Sequence, residues 1–183
     1  MSDELEVLKI VAERLNQIGI PYMITGSIPV SYYAIPRMTR DIDMVIELEE
    51  KDVEKITSLF SGDFYIDKES VQKAVREKGI FNIIHNTLIV KIDFIIRKEN
   101  TYRKEEFRRR RKIRIEETEA FLTTPEDLIL SKLYWSKDSR SEMQILDVKN
   151  LLQSVRDLDK EYIKRWADYL GISEFYLEVS SDQ

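Results

Sequence analysis

Asp41 and Asp43 stand two apart in the segment DIDMVIEL (41–48), and a third acid, Asp93, interrupts the apolar run TLIVKIDFII (87–96). The first segment alternates, so it reads as a strand with Ile42, Met44, Ile46 and Leu48 on one face and Asp41, Asp43, Val45 and Glu47 on the other. Two residues along a strand span about 7 Å, and carboxylates at that spacing can turn toward one divalent ion. Asp-x-Asp also recurs on solvated strand edges, where it only faces water. Asp93 is harder to explain in that way, because a lone charge in a core-like strand is costly to bury. Three acids converging from two strands would repel one another unless a cation sat among them. An all-oxygen ligand set that keeps waters and substrate phosphates suits magnesium.

The composition narrows the chemistry in the same direction. The chain of 183 residues has no cysteine and a single histidine, His85. Thiolate nucleophiles, disulfides and Cys-ligated zinc or iron–sulfur sites are excluded. His85 falls in an expected hairpin turn near His85-Asn86-Thr87 and reads as a turn or surface residue rather than a general base. Trp135 and Trp166 lie on amphipathic helices and are expected to pack. The Tyr32-Tyr33 pair reads as partial core, with base stacking as the alternative. At 43% hydrophobic and 34% charged residues, the composition is that of an ordinary globular protein. Its apolar runs are too short to span a membrane, and the start MSDELEVLK lacks the basic and apolar regions of a signal peptide, so a cytoplasmic protein with no membrane association is expected.

The elements that must position these residues follow from periodicity. Leu8, Val11, Leu15 and Ile18 mark an amphipathic helix ended by Gly19, and PYMIT (21–25) reads as a short strand. Gly26-Ser27 makes a turn into a short helix that tolerates Pro29 in its first turn. Helices are expected over 50–60 and 69–78, then a hairpin formed by 81–86 and 87–96. Thr124, Pro125, Glu126 and Asp127 form a helix start, and further helices follow at about 142–155 and 159–170. The plan is α+β: a mixed β-sheet flanked by helices over 1–122, with a C-terminal helical region, 123–183, packed on it as one compact unit.

Strand–Gly26–Ser27–helix is also a phosphate-cradle arrangement, since glycine permits close backbone approach and a helix N-terminus offers unpaired N–H groups. It lies fourteen residues before Asp41. The whole stretch TGSIPVSYYAIPRMTRDIDMVI resembles the signature of the nucleotidyltransferase superfamily related to DNA polymerase beta. Arg37, Thr39, Asp41 and Asp43 make it most similar to the AbiEii-type branch associated with toxin–antitoxin systems. The block TTPEDLILSKLYWSKDSRSEMQILDVKNLL resembles that branch's Pro-Glu-Asp-Leu helix with its following lysine, here Lys132, and a later acid, here Asp147. Ala34 departs from the pattern, which often has glycine there.

The resemblance implies magnesium-dependent transfer of a nucleotide from an NTP to an acceptor hydroxyl, with two ions expected when the NTP is bound. Asp41, Asp43 and Asp93 would be catalytic and metal-ligating. Gly26, Ser27, Arg37 and Lys132 would contact the nucleotide, and Asp147 would support Lys132 or tie two helices together. It also implies a possible antitoxin protein as partner. The alternative is a catalytically silent module with this fold that binds RNA or a protein.

The net charge of −5 conceals a basic segment: eight of the twelve positions from Arg103 to Arg114 are Lys or Arg. The unbroken run Arg108, Arg109, Arg110, Arg111, Lys112 has two readings. One is a solvated face paired with Glu105, Glu106 and Glu116; the other is contact with the phosphates of an RNA or tRNA acceptor.

Overall fold

The structure is a computed structural model that describes residues 2–36, 39 and 41–181. Its contacts divide the chain into two units, one comprising 1–25 with 38–122 and the other 26–37 with 123–183.

The first unit opens with α1 (Asp3–Ile18), whose buried Val7, Leu8, Val11 and Leu15 recur at helical spacing. Gly19 closes it in the left-handed conformation (φ 69°). Among the described residues there follows a seven-stranded mixed sheet of order β3-β4-β5-β2-β1-β7-β6. Its strands are β1 (Tyr22–Thr25), β2 (Asp41–Ile46), β3 (Phe64–Ile66), β4 (Ile80–His85), β5 (Lys91–Ile96), β6 (Arg111–Ile115) and β7 (Thr118–Leu122). β2 is antiparallel to β1 and parallel to β5, while β4 and β5 form the expected hairpin. Strand alternation sorts the two faces. Ile42, Met44, Ile46, Ile92, Phe94 and Ile96 are fully or almost fully buried on one of them. The helix α1 packs against β2 and β7, α3 (Val53–Phe60) against β3, and α4 (Lys68–Glu77) against β4.

A few elements depart from the sequence reading. The 50–60 segment is a 3₁₀ turn (Glu50–Asp52) leading into α3. α4 ends on Lys78 in the left-handed conformation (φ 52°), although Gly79 follows it. β3, β7 and a helix α5 (Thr101–Arg108) have no counterpart in that reading.

The second unit is helical, with α2 (Ser27–Tyr33), α6 (Pro125–Ser136), α7 (Glu142–Ser154), α8 (Lys160–Tyr169) and α9 (Ser173–Ser181). Thr124 caps α6 by accepting from the Asp127 N–H, with Pro125 in the first turn, as its sequence requires. Trp135 is 60% exposed on α6, so the expectation that it packs fails there. α6 is buried on nearly every side, with Glu126, Asp127, Ser131 and Lys132 inside as well, so periodicity alone does not say which residue is left outward. No helix among the described residues is long and apolar enough to cross a membrane.

Candidate functional site

Strand register brings the three acids together. On the adjacent parallel strands β2 and β5, Asp41 lies opposite Lys91 and Asp43 opposite Asp93. β1 places Thr25 beside Asp43, and β4 places Asn82 beside Asp93. One row across the sheet therefore reads Asn82, Asp93, Asp43, Thr25, and the next reads Tyr65, Ile84, Lys91, Asp41. Asp41, Asp43 and Asp93 share the face opposite the buried one, where every odd residue of β5 is half-buried. Asp93 is thus not sunk in the core as its apolar neighbours suggest; those neighbours point the other way.

Carboxylates directly abreast on paired strands destabilise the pairing. Lys91 answers that repulsion. Its Nζ lies 2.8 Å from Asp93 Oδ2 and 3.7 Å from Asp41 Oδ2. The hydrogen bond to Asp93 holds the ammonium above its ordinary pKa; burial opposes this, and the charges of Asp93, Asp41 and Asp43 reinforce it. Side-chain exposure rises from 21% at Asp93 through 37% at Lys91 to 57% at Asp41, so the cluster opens toward solvent at its Asp41 end. Thr39 steadies that end by donating from its hydroxyl to the Asp41 carbonyl (3.0 Å).

In kind, the donor set fits a hard divalent cation, with three carboxylates on one sheet face and a cation already drawn among them. In placement, Lys91 is what gathers Asp41 and Asp93. Among the described residues, no group of three or more His, Cys, Asp or Glu side chains lies close enough to hold a metal ion.

The other expected site residues belong to the second unit. Gly26 has φ 71° and ψ −132°, a combination that only glycine adopts without strain, and it precedes the seven-residue helix α2. Tyr33 donates to the Thr123 carbonyl (3.0 Å), which fits the partial-core reading, whereas Tyr32 is 59% exposed with its ring edge-on to Tyr33. Lys132 on α6 is buried, with Nζ 2.8 Å from Asp147 Oδ2 and 2.9 Å from Gln144 Oε1, both on α7. Asp147 therefore ties α6 to α7 through Lys132. Arg37 lies outside the described residues.

The basic run is not one stripe. Arg108 ends α5 and bonds Glu105 (2.8 and 2.7 Å), Arg109 caps the helix, and Arg111 and Lys112 are exposed on the edge strand β6. Arg110 is held inward, with its guanidinium 4.3 Å from the Phe107 ring centroid and 5.2 Å from that of Phe121. His85 sits at the hairpin turn and accepts from the Leu88 N–H on Nδ1 (3.0 Å), but it is buried against Phe64 rather than on the surface.

Two residues of the acid face, Lys91 and Asn82, have no role in the sequence reading. Lys91 shares a face with Asp93 by simple alternation, a signal already legible; the position of Asn82 depends on the hairpin register.

The fold is that of nucleotidyltransferase-like proteins. An antigenic nucleotidyltransferase-like protein from Paracoccidioides brasiliensis superposes with a TM-score of 0.64 at 18% identity, over 96% of this chain and 88% of that one. A Thermotoga maritima protein described as a nucleotidyltransferase gives 0.51 at 18% identity, over 76% and 88%. The antibiotic-resistance factor ANT(2'')-Ia gives 0.53 at 13% identity, over 96% and 91%. No family model and no curated protein matches the sequence.

Proposed function

We propose that the protein is a magnesium-dependent nucleotidyltransferase that moves an NMP from an NTP to an acceptor hydroxyl. The observation that carries this reading is the register of Asp43 against Asp93, with Asp41 on the same face, in a nucleotidyltransferase-like fold. Asp41, Asp43 and Asp93 are the residues that would hold the metal. When bound, magnesium offsets the charge of the triphosphate and polarises the α-phosphate. The acceptor oxygen attacks the α-phosphorus, the bond to the bridging oxygen breaks, and pyrophosphate leaves. Asp93, more shielded than Asp41, takes the hydroxyl proton. Lys91 would give up its carboxylate contacts for Asp41 and Asp93 to hold the metal. Gly26, Ser27 and Lys132 are phosphate contacts that the resemblance implies, and Lys132 must leave Asp147 and Gln144 to make one.

RNA is the acceptor class best suited to the exposed Arg111 and Lys112, and an antitoxin partner follows from the AbiEii-type resemblance. One observation favours a second reading, a catalytically silent module: Lys91 already supplies a cation to Asp93 and Asp41.

The test is transfer of each α-labelled NTP in a magnesium-supplemented cell extract, with the label then sorted into RNA, protein and small molecules. Label entering one pool with wild type and absent with Asp43→Ala supports the transferase. If none of the four nucleotides binds or is transferred, and Asp43→Ala changes nothing, the module reading stands instead.

A further inference from the structure

Within the first unit, at the ends of β2 and β5 away from the acids, lies a cleft of about 260 Å³. Four cations line it, Arg97, Lys104, Arg108 and Arg110, against a single carboxylate, Glu47. Glu47 follows Asp43 by four residues, about 13 Å along a strand, so this is a separate place from the acid cluster.

Three of the four cations have carboxylate partners. Arg97 bonds Glu47 (2.5 Å) and Glu99 (3.2 Å), Lys104 reaches Glu99 (3.1 Å), and Arg108 bonds Glu105. Arg110 differs. Its Nη1 donates to the Phe107 carbonyl (2.7 Å), the rings of Phe107 and Phe121 lie against its guanidinium, and its Nε is buried with no acceptor. Burial pushes its pKa down.

Cation–π contact alone supplies about 0.5–2 kcal/mol. An unsatisfied buried donor costs about 1–3 kcal/mol, and more when the group is charged. Packing between two rings therefore leaves this Nε without a partner, and it is the cleft lining, four cations against one carboxylate, that calls for an anion. The guanidinium fork matches the oxygens of a phosphate, and the other three cations stand around the same space. The cleft is below the roughly 300–1,000 Å³ of a drug-sized site, which suits one phosphate group with a small attachment.

We propose that this cleft is a phosphate-binding site anchored by Arg110, with Lys104 at its rim. The phosphate comes either from a small phosphorylated molecule or from the backbone of an RNA, for which the neighbouring cations of β6 extend the path. The proposal does not rest on nucleotidyl transfer and stands or falls apart from it.

The test uses the full-length protein with ¹⁵N-labelled arginine, following the Arg110 Nε–H resonance at constant ionic strength. One arm adds inorganic phosphate, a second adds a single-stranded oligouridylate, and a third adds chloride. A saturable shift with phosphate identifies the small-ligand source. A saturable shift with the oligouridylate alone identifies the RNA source. Either is expected to weaken about tenfold in Arg110→Gln, read by calorimetry, and about threefold in Lys104→Gln. Lys104 is exposed, so its variant keeps the test decisive if Arg110→Gln fails to fold. Equal shifts with phosphate and chloride, no shift in any arm, or binding that Lys104→Gln leaves untouched would overturn the site.

Discussion

Lys91 donates to Asp93 across 2.8 Å, two residues apart on one strand and on the same face. The same ammonium stands 3.7 Å from Asp41 on the neighbouring strand. A cation supplied by the chain itself is thus the counter-ion of the acid cluster, and any divalent ion must compete with it.

We therefore expect Lys91→Met to tighten binding of magnesium or manganese about tenfold, because the acids lose their internal partner. Without metal the variant should be less stable by about 1 kcal/mol, a figure kept small because the pair is partly solvated. Calorimetric titration with manganese and thermal melts with and without it measure both effects. Unchanged affinity would show that Lys91 does not compete for these acids.

Asp43→Asn should separate stability from function. It removes one of two charges held abreast on β2 and β5, so the metal-free protein should melt at the same temperature or slightly higher, a gain of at most about 1 kcal/mol. Transfer activity should fall at least a hundredfold. A clear loss of stability without metal would mean that Asp43 has a structural role.

Arg14 grips Asp63 through two bonds, at 2.7 and 2.6 Å, and these hold the Asp63 carboxyl below its usual pKa against the opposing effect of burial. A lowered folded pKa contributes stability that is present above the unfolded value, about 3.9, and is lost as pH falls through the folded value. Asp63→Asn should cost about 1 kcal/mol at pH 7, discounted for the exposure of the pair, and the gap to wild type should close below about pH 4. Urea denaturation at a series of pH values reads it; a gap independent of pH would rule out the charge as its source.

Lys132 and Asp147 are almost fully buried together. Lys132→Met leaves the Asp147 carboxylate without this ammonium and should cost about 3 kcal/mol, whereas the double change with Asp147→Leu should recover most of that. Chemical denaturation of the two variants gives the comparison. A double variant no better than the single one would place the cost in packing.

How much of this was legible beforehand varies with the range of the interaction. The alternation of DIDMVIEL set Ile42, Met44 and Ile46 against Asp41 and Asp43, and the structure keeps that division. The helix start at Thr124-Pro125 was equally local. The strand β3 covers only Phe64–Ile66, too short for any period to emerge, and it becomes a strand by pairing with β4. The row joining Asn82, Asp93, Asp43 and Thr25 depends on three separate registers, none of which a linear pattern encodes. The run Arg108 to Lys112 divides for a related reason. A helix end, a turn and a strand start divide it, so five like residues meet different surroundings.

The two ends of the sheet order carry one more consequence. A free strand edge is a template for another chain, and long, flat, apolar edges invite stacking into aggregates. Here one edge, β3, is three residues long, and the other, β6, carries Arg111, Lys112 and Arg114 outward. Brevity guards one side; on the other, long charged side chains, Lys112 paired with Glu119 and Arg114 with Glu117, would have to shed water and partners before a second copy could pair with β6. Whatever else those arginines contact, they help keep the protein from polymerising with itself.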